Sequence, residues 1–376
     1  MAALRWLHRW VGLVTGVAFT ILTLTGVYLG AEEWWRQITA HGQSFQPQTL
    51  LQQGQTLDRL SEVREAAGET VTGLAVPTSQ YPFYRITAGR SQYDYAASDD
   101  ALLAHSERGQ GGLGSVMMDL HRTFMLGRDP VLGTLTGPDL AAIITLIGAG
   151  LGLIGLVLWW PLRRGFRWRT AVIPRNTRRG ELFKNHVHGA TLLSLPLLLL
   201  CITGAAVTYR SQLVQWLDAK EVEYRYLLDT PVPAGDTWTE RLAAAQRLIP
   251  DGEFQRVSWP RFRGEPKPRE GVDLTHTVQL AFATPEDWFG VPNSRVFLDL
   301  NSGQIQAAYR FDQLSLGQKL YRFIVPLHSG RLMPSGYTLT ITLLCAWMSW
   351  VMITGMVAMI QGMWPKRRRA PRVAKA

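Results

Sequence analysis

The sequence predicts a mainly α-helical membrane protein, with four transmembrane helices, two extracytoplasmic α+β units and an internally duplicated layout. Three observations predict this. Hydrophobic residues fill 47% of the 376 positions and charged residues only 18%, too apolar for an ordinary soluble chain of this length. Four apolar stretches each reach the ~20 residues that a helix needs to cross a bilayer. The order of span, long polar segment, span and basic segment occurs twice.

The spans follow from the apolar runs. They cover Trp10 to Ala31, Leu140 to Trp160, about Gly189 to Tyr209, and about Tyr337 to Trp364. The first has no small-x-small cleavage site behind it and continues into Glu32-Glu33-Trp34-Trp35, so it is expected to be a retained anchor rather than a signal peptide. With their flanks, the segments are residues 1–32, 138–162, 186–210 and 335–364. Residues 33–137 and 211–334 form the two extracytoplasmic units, 163–185 a basic linker and 365–376 a basic tail. Cys201 and Cys345 lie inside apolar runs, lack metal-ligand spacing and read as small packing residues.

Charge sets the expected orientation. The linker from Arg163 to Asn185 carries eight Lys/Arg against one acid, Glu181, and the tail after Pro365 carries six and no acid. Arg5 and Arg9 precede the first span. These three segments are therefore expected in the cytoplasm, with both termini inside. The long loops are acidic or balanced: eight basic to eleven acidic residues in 33–137, and fifteen to fifteen in 210–335. The net charge of +10 is thus a membrane-edge signal and not a nucleic-acid patch. Trp159-Trp160-Pro161 and Trp364-Pro365 end the second and fourth spans as interfacial aromatic anchors do.

The repeat is visible in the residues. "HRWVGLVTGVAFTILTLTG" (His8 to Gly26) and "HVHGATLLSLPLLLLCITG" (His186 to Gly204) both run from a histidine to a Thr-Gly with an offset of 18 residues. "GLIGLVLWWP" and "MITGMVAMIQGMWP" end the second and fourth spans. In the first loop "TLDRLSEVREAAG" sets Leu57, Leu60, Val63 and Ala67 on one helical stripe, followed by strands in "ETVTGLAV" and "PFYRITAG". In the second, "TWTERLAAAQRLIP" reads as the helix and "EFQRVSWP", "HTVQLAFAT" and "SRVFLDLNSGQIQAAYRF" as strands, with Asn301-Ser302-Gly303 as a hairpin turn.

Five of the eight histidines fall near membrane boundaries. His8 opens the first span, His186 and His188 open the third, and His121 and His328 precede the second and fourth on the opposite face. Each face thus receives a histidine from each half. Ionisable groups at membrane depth are costly and usually pair or serve a function. A neutral imidazole ligates haem iron, and two facing imidazoles complete an electron-transfer site. No carboxylates cluster beside these histidines, which disfavours zinc hydrolysis. His41, His105 and His276 read as ordinary loop or strand residues.

"LHRWVGLVTG", "LHRTFMLG", "ITLIGAGLGLIGLVLWWP", "NHVHGATLL" and "PLHSGRLMPSG" resemble the PepSY-associated transmembrane proteins, a family of iron-regulated bacterial inner-membrane proteins that includes the FoxB-type siderophore reductases. The resemblance covers nearly the whole chain, with both loops similar to PepSY domains. It implies two haem b groups, one near each face, each held by two histidines. His8 and a histidine of the third span would hold the cytoplasmic-side haem, and His121 and His328 the external-side haem. The repeat offset favours His186. His188 lies closer to the bilayer and stays open, since helix residues two apart point ~200° apart and cannot both face one iron.

The resemblance further implies a ferric-siderophore reductase of the inner membrane, passing electrons outward to release Fe(II). The span from His8 to Ala31 is roughly 35 Å of helix, suited to a two-step relay. The cytoplasmic segments lack a GxGxxG fingerprint, so the donor is expected to be a quinol or a separate flavin- or NAD(P)H-dependent reductase. Arg122, Arg128, Arg322 and Arg331 flank His121 and His328 and suit haem propionates, an anionic substrate or lipid headgroups. Two other readings remain: a haem-free sensor or interaction protein, and an iron or siderophore transporter. A transporter wants broken or polar helices at mid-membrane, and only Pro196 offers a break.

Overall fold

The computed structural model describes residues 1–107, 112–220, 222–259, 274 and 277–363. His276, Trp364-Pro365 and the basic tail lie outside the described residues. In chain order the elements are α1 (Ala2–Thr39), α2 (Leu50–Ala66), β1 (Val71–Ala75), β2 (Phe83–Ala88), β3 (Ser91–Ala96), β4 (Leu102–Glu107), α3 (Leu113–Thr123), β5 (Pro130–Leu132), β6 (Leu135–Thr136), α4 (Gly137–Trp159), α5 (Trp168–Val172), α6 (Arg179–Thr208), α7 (Arg210–Trp216), β7 (Leu227–Pro233), α8 (Trp238–Leu248), β8 (Glu253–Ser258), β9 (Thr277–Ala283), β10 (Ser294–Asp299), β11 (Gln304–Tyr309), α9 (Leu316–Ser329) and α10 (Ser335–Met363). The chain divides into a helical unit (Met1–Leu29, Met117–Thr208, Thr340–Ala376) and a sheet unit (Gly30–Val116, Tyr209–Leu339).

In the helical unit α1, α4, α6 and α10 are the four helices long and apolar enough to cross a membrane. Only 17–33% of their most apolar windows is buried inside the protein, so most of that surface is left for lipid. Val14 and Leu195 are each 77% exposed, the inside-out pattern of a bilayer-facing wall. Glycines bring the helices close: Gly148 lies against the Phe19 ring and Gly152 against Leu197, where a Cβ would collide. The buried hydroxyls of Thr20 and Thr25 donate to carbonyls one turn back, and Ser349 donates to Thr23 between α10 and α1 at 2.8 Å. α6 runs unbroken through Pro196, so the break that a transporter wants is not found there.

The basic linker is ordered against the spans. Asn185, fully buried on α6, donates from Nδ2 to the carbonyls of Thr170 and Ala171 at 2.8 and 3.0 Å and accepts from the Thr354 hydroxyl. Trp347 Nε1 also donates to Ala171.

In the sheet unit, the two α+β halves expected as separate units join into one antiparallel sheet of nine strands, in the order β4-β3-β2-β1-β8-β9-β10-β11-β7. The junction is β1 against β8, with Leu74 opposite Val257. Each half closes the other's exposed edge. The row Ile86, Leu74, Val257, Leu280 and Val296 crosses five strands on one face. It packs in one core with Leu57 and Leu60 of α2 and Leu242 and Ala245 of α8. Thr49–Gln52, Thr237–Glu240 and Ser315–Gln318 form capping boxes that start α2, α8 and α9. Gly54 of α2 meets the backbone of Thr239, so the two helices touch where no side chain fits.

Candidate functional site

The residues that open α1 and α6 meet. The ring centroids of His8 and His186 are 6.3 Å apart with planes tilted by 56°. Two metal–nitrogen bonds of about 2 Å, plus the radii of two imidazoles, span about 6 Å. The spacing therefore suits one metal ion between the rings. His186 Nδ1 donates to the Val351 carbonyl at 2.9 Å, which fixes the ring and directs Nε2 away from α10. His8 Nδ1 is a buried atom with no hydrogen-bond partner among the described residues, although the Leu151 backbone lies near enough to act on the ring.

Glycines make room for both rings. A Cβ on Gly155 of α4 would lie 3.4 Å from His8 Cε1. On Gly355 of α10 it would collide with the His186 ring at Nδ1. Neither glycine stands out in sequence, because each is one of several small residues in an apolar helix. The Val351 carbonyl was equally invisible, since any helical residue offers one. The paired Gly-containing endings of the second and fourth spans were the available signal.

His188 takes a different role. It is buried, its ring meets Phe166 edge-on at 5.3 Å, and its Nδ1 has no partner among the described residues. Of the two α6 candidates, His186 is the one beside His8.

His121 on α3 also belongs to the helical unit. The Thr25 hydroxyl donates to the Ile21 carbonyl at 2.8 Å, so the His121 Nδ1–H donates to the Leu22 carbonyl at 3.0 Å and toward Thr25 Oγ1 at 2.9 Å. This assigns the proton to Nδ1 and the lone pair to Nε2, the ligating tautomer. Burial pushes the His121 pKa below its ordinary value, with the Leu22 hydrogen bond opposing. A Cβ on Gly26 of α1 would lie 3.5 Å from His121 Cε1. His328 lies on α9 in the sheet unit.

The remaining residues separate cleanly. His41 contacts Asp94 at 3.1 Å and packs on Phe83, and His105 stacks on Tyr93 at 4.5 Å, as structural residues do. Arg122 and Arg128 are exposed. Arg322 lies over the Tyr309 ring at 5.2 Å, and Arg331 is exposed. Cys201 and Cys345 are free thiols. Among the described residues, no three His, Cys, Asp or Glu side chains gather to hold a metal, so the histidine pair is the candidate.

Residues 5–361 match the family described as the PepSY-associated TM region. The chain belongs to the PepSY-associated TM family. The match runs from three residues before His8 to six residues past Gly355, so the family's extent includes all four spans and the whole sheet unit. No curated protein matches the chain.

Proposed function

We propose that this PepSY-associated TM protein is a di-haem b oxidoreductase of the bacterial inner membrane that reduces Fe(III)–siderophore in the periplasm and releases Fe(II). The observation that carries the reading is the 6.3 Å spacing of His8 and His186, with a glycine against each ring and the Val351 carbonyl holding one of them. The residues fit a haem held by two imidazoles. Held by His8 and His186, such a group would supply a one-electron carrier.

The chain's own residues do the rest. Val351 keeps His186 in the Nδ1–H tautomer, so Nε2 presents its lone pair. Gly155 and Gly355 keep the space beside the rings open. The carbonyl of Leu22 does for His121 what Val351 does for His186, and His121 is the ligand assigned to the second haem. The family resemblance implies His328 as its partner. With the basic segments inside, the His8–His186 pair faces the cytoplasm and takes electrons from a quinol or a separate reductase. Fe(II) binds hard oxygen ligands less tightly than Fe(III), so reduction at the outer face frees the metal.

The test is a pyridine haemochrome count on the detergent-purified protein, with spectra before and after dithionite. Two haem b per chain are expected in the native protein and in His188→Ala, and one in His186→Ala. Reduced protein mixed with a ferric hydroxamate should reoxidise and yield Fe(II) to a ferrous chelator. A colourless protein from haem-supplied cells would end the reading.

A further inference from the structure

The second face of the sheet carries a row of residues that hydrophobic packing does not explain. Across β3, β2, β1, β8, β9, β10 and β11 the register aligns Asp94, Arg85, Ala75, Arg256, Ala281, Arg295 and Tyr309. Residues directly opposite one another point to the same face. Three arginines therefore project from one side of the sheet, separated by alanines that leave the space between them open.

The three are treated differently. Arg85 is answered by Asp94 through two hydrogen bonds of 2.7 and 2.9 Å. Arg256 and Arg295 form no ion pair among the described residues. Arg295 is 92% buried, since its exposure is 8%, and among the described residues its guanidinium donates only to the backbone carbonyls of Pro292 and Ser294. Arg256 Nε is buried with no partner among the described residues. Arg322 joins them from α9 by lying over Tyr309, the residue opposite Arg295, and its Nε is also buried without a partner among the described residues. Arg331, exposed, follows α9 and is an electrostatic neighbour of Arg256. Glu223 faces Tyr309, and Glu33, near Arg85 and Tyr81, is paired with Arg36 at 3.6 Å. The carboxylate that acts on Arg295 is Asp287, and it is already taken. It accepts from the Thr284 backbone and hydroxyl, the Asn293 backbone and the Ser294 hydroxyl at 2.9 to 3.1 Å.

Like charges gathered at the edge of a core without counter-charges are unfavourable for the protein alone. Guanidinium groups are the donors best matched to planar carboxylate and to phosphate oxygens. We propose that Arg256, Arg295, Arg322 and Arg331 form a binding site for a small polyanion whose charges are carried on carboxylate or phosphate oxygens. Arg331 is the entrance and Arg295 the inner end. The site rests on the sheet's register and owes nothing to the haem reading. In a ferric-chelate reductase it would receive a carboxylate-bearing chelate. A phosphate source would be free phosphate or a lipid headgroup.

Isothermal titration of the full-length protein in detergent would use citrate and inorganic phosphate as probes. Parallel titrations would use nanodiscs of phosphatidylcholine with and without phosphatidylglycerol. Citrate or phosphate is expected to bind, with at least tenfold weakening in Arg256→Gln and in the exposed Arg331→Gln. Arg90→Gln, at a distant turn, should bind as the native protein does. Preference for citrate would assign a carboxylate ligand, and preference for phosphate a phosphate ligand. Loss of probe binding only in phosphatidylglycerol discs would assign the headgroup. Absence of binding by either probe in detergent and in both discs would overturn the site. So would affinities unchanged in Arg331→Gln, whose exposed side chain removes misfolding as an explanation.

Discussion

The helical unit and the sheet unit solve the burial of polar groups in opposite ways. In the helical unit the buried polar side chains are neutral: threonines bonded back to their own helix, Ser349 on Thr23, Asn185 on the linker carbonyls, and imidazoles against glycines. In the sheet unit neutral groups such as Thr284 and Ser294 are buried too, but some buried side chains carry formal charge: Asp94, answered by the partly buried Arg85, and Arg295, which like the partly buried Arg256 has no ion pair among the described residues. The difference follows from the surroundings. A helix in lipid has no water to share a charge with, so only groups that satisfy themselves locally are tolerated. A sheet beside water can keep charges half-buried where a partner, from within or from outside, completes them.

The largest expected effect tests the neutral side of this comparison. Gly355→Ala should displace the His186 ring and remove one of two haems, although every histidine remains. Gly155→Ala, whose Cβ only makes a close contact with His8, should keep both. A haemochrome count on the two variants decides it, and two haems in Gly355→Ala would break the assignment of that glycine.

The charged side is tested by two arginines of the same row. Arg85→Met leaves the buried Asp94 with His41 alone and should cost up to about 3–5 kcal/mol of stability. Arg256→Met removes an unanswered charge and should leave the ligand-free protein as stable or raise its melting temperature. Thermal unfolding of both variants in one detergent compares them, and a large loss in Arg256→Met would mean that the charge is internally compensated.

A smaller effect is expected at Asn185. Asn185→Ala frees the carbonyl of Thr170, leaves Ala171 with Trp347 as its donor, and should cost about 1–3 kcal/mol, read as a lower melting temperature and earlier proteolysis of the linker.

The smallest concerns alkaline pH. Tyr81 donates to Glu33, and burial first, with that carboxylate second, pushes its pKa up to about 12. An unfolded tyrosine ionises near 10. The folded chain keeps a proton that the unfolded chain gives up, so stability falls as pH rises from about 10 to 12. Tyr81→Phe should lose less stability over that window than the native protein in unfolding series at stepped pH. An equal loss would assign the effect elsewhere.

Some elements were legible and some were not, for identifiable reasons. "TLDRLSEVREAAG" and "TWTERLAAAQRLIP" declared α2 and α8 through apolar spacing and capping residues. β3 and β4, "SQYDYA" and "LLAHSE", are too polar to read as strands, and β7 hides behind two prolines because it is an edge strand. The arginine row was invisible, because register across seven strands is not written in any one of them.

The sequence by itself determined the four spans, the repeated order and the histidines near each membrane boundary, since these depend on local composition and on offsets along one helix. Tertiary structure alone decided that the two α+β halves share one sheet, that His186 and not His188 lies beside His8, and that Arg256 and Arg295 flank one alanine. Each of these is a meeting of residues far apart in the chain. Such meetings are set by which faces pack and which edges pair, and no periodicity within a single segment encodes them.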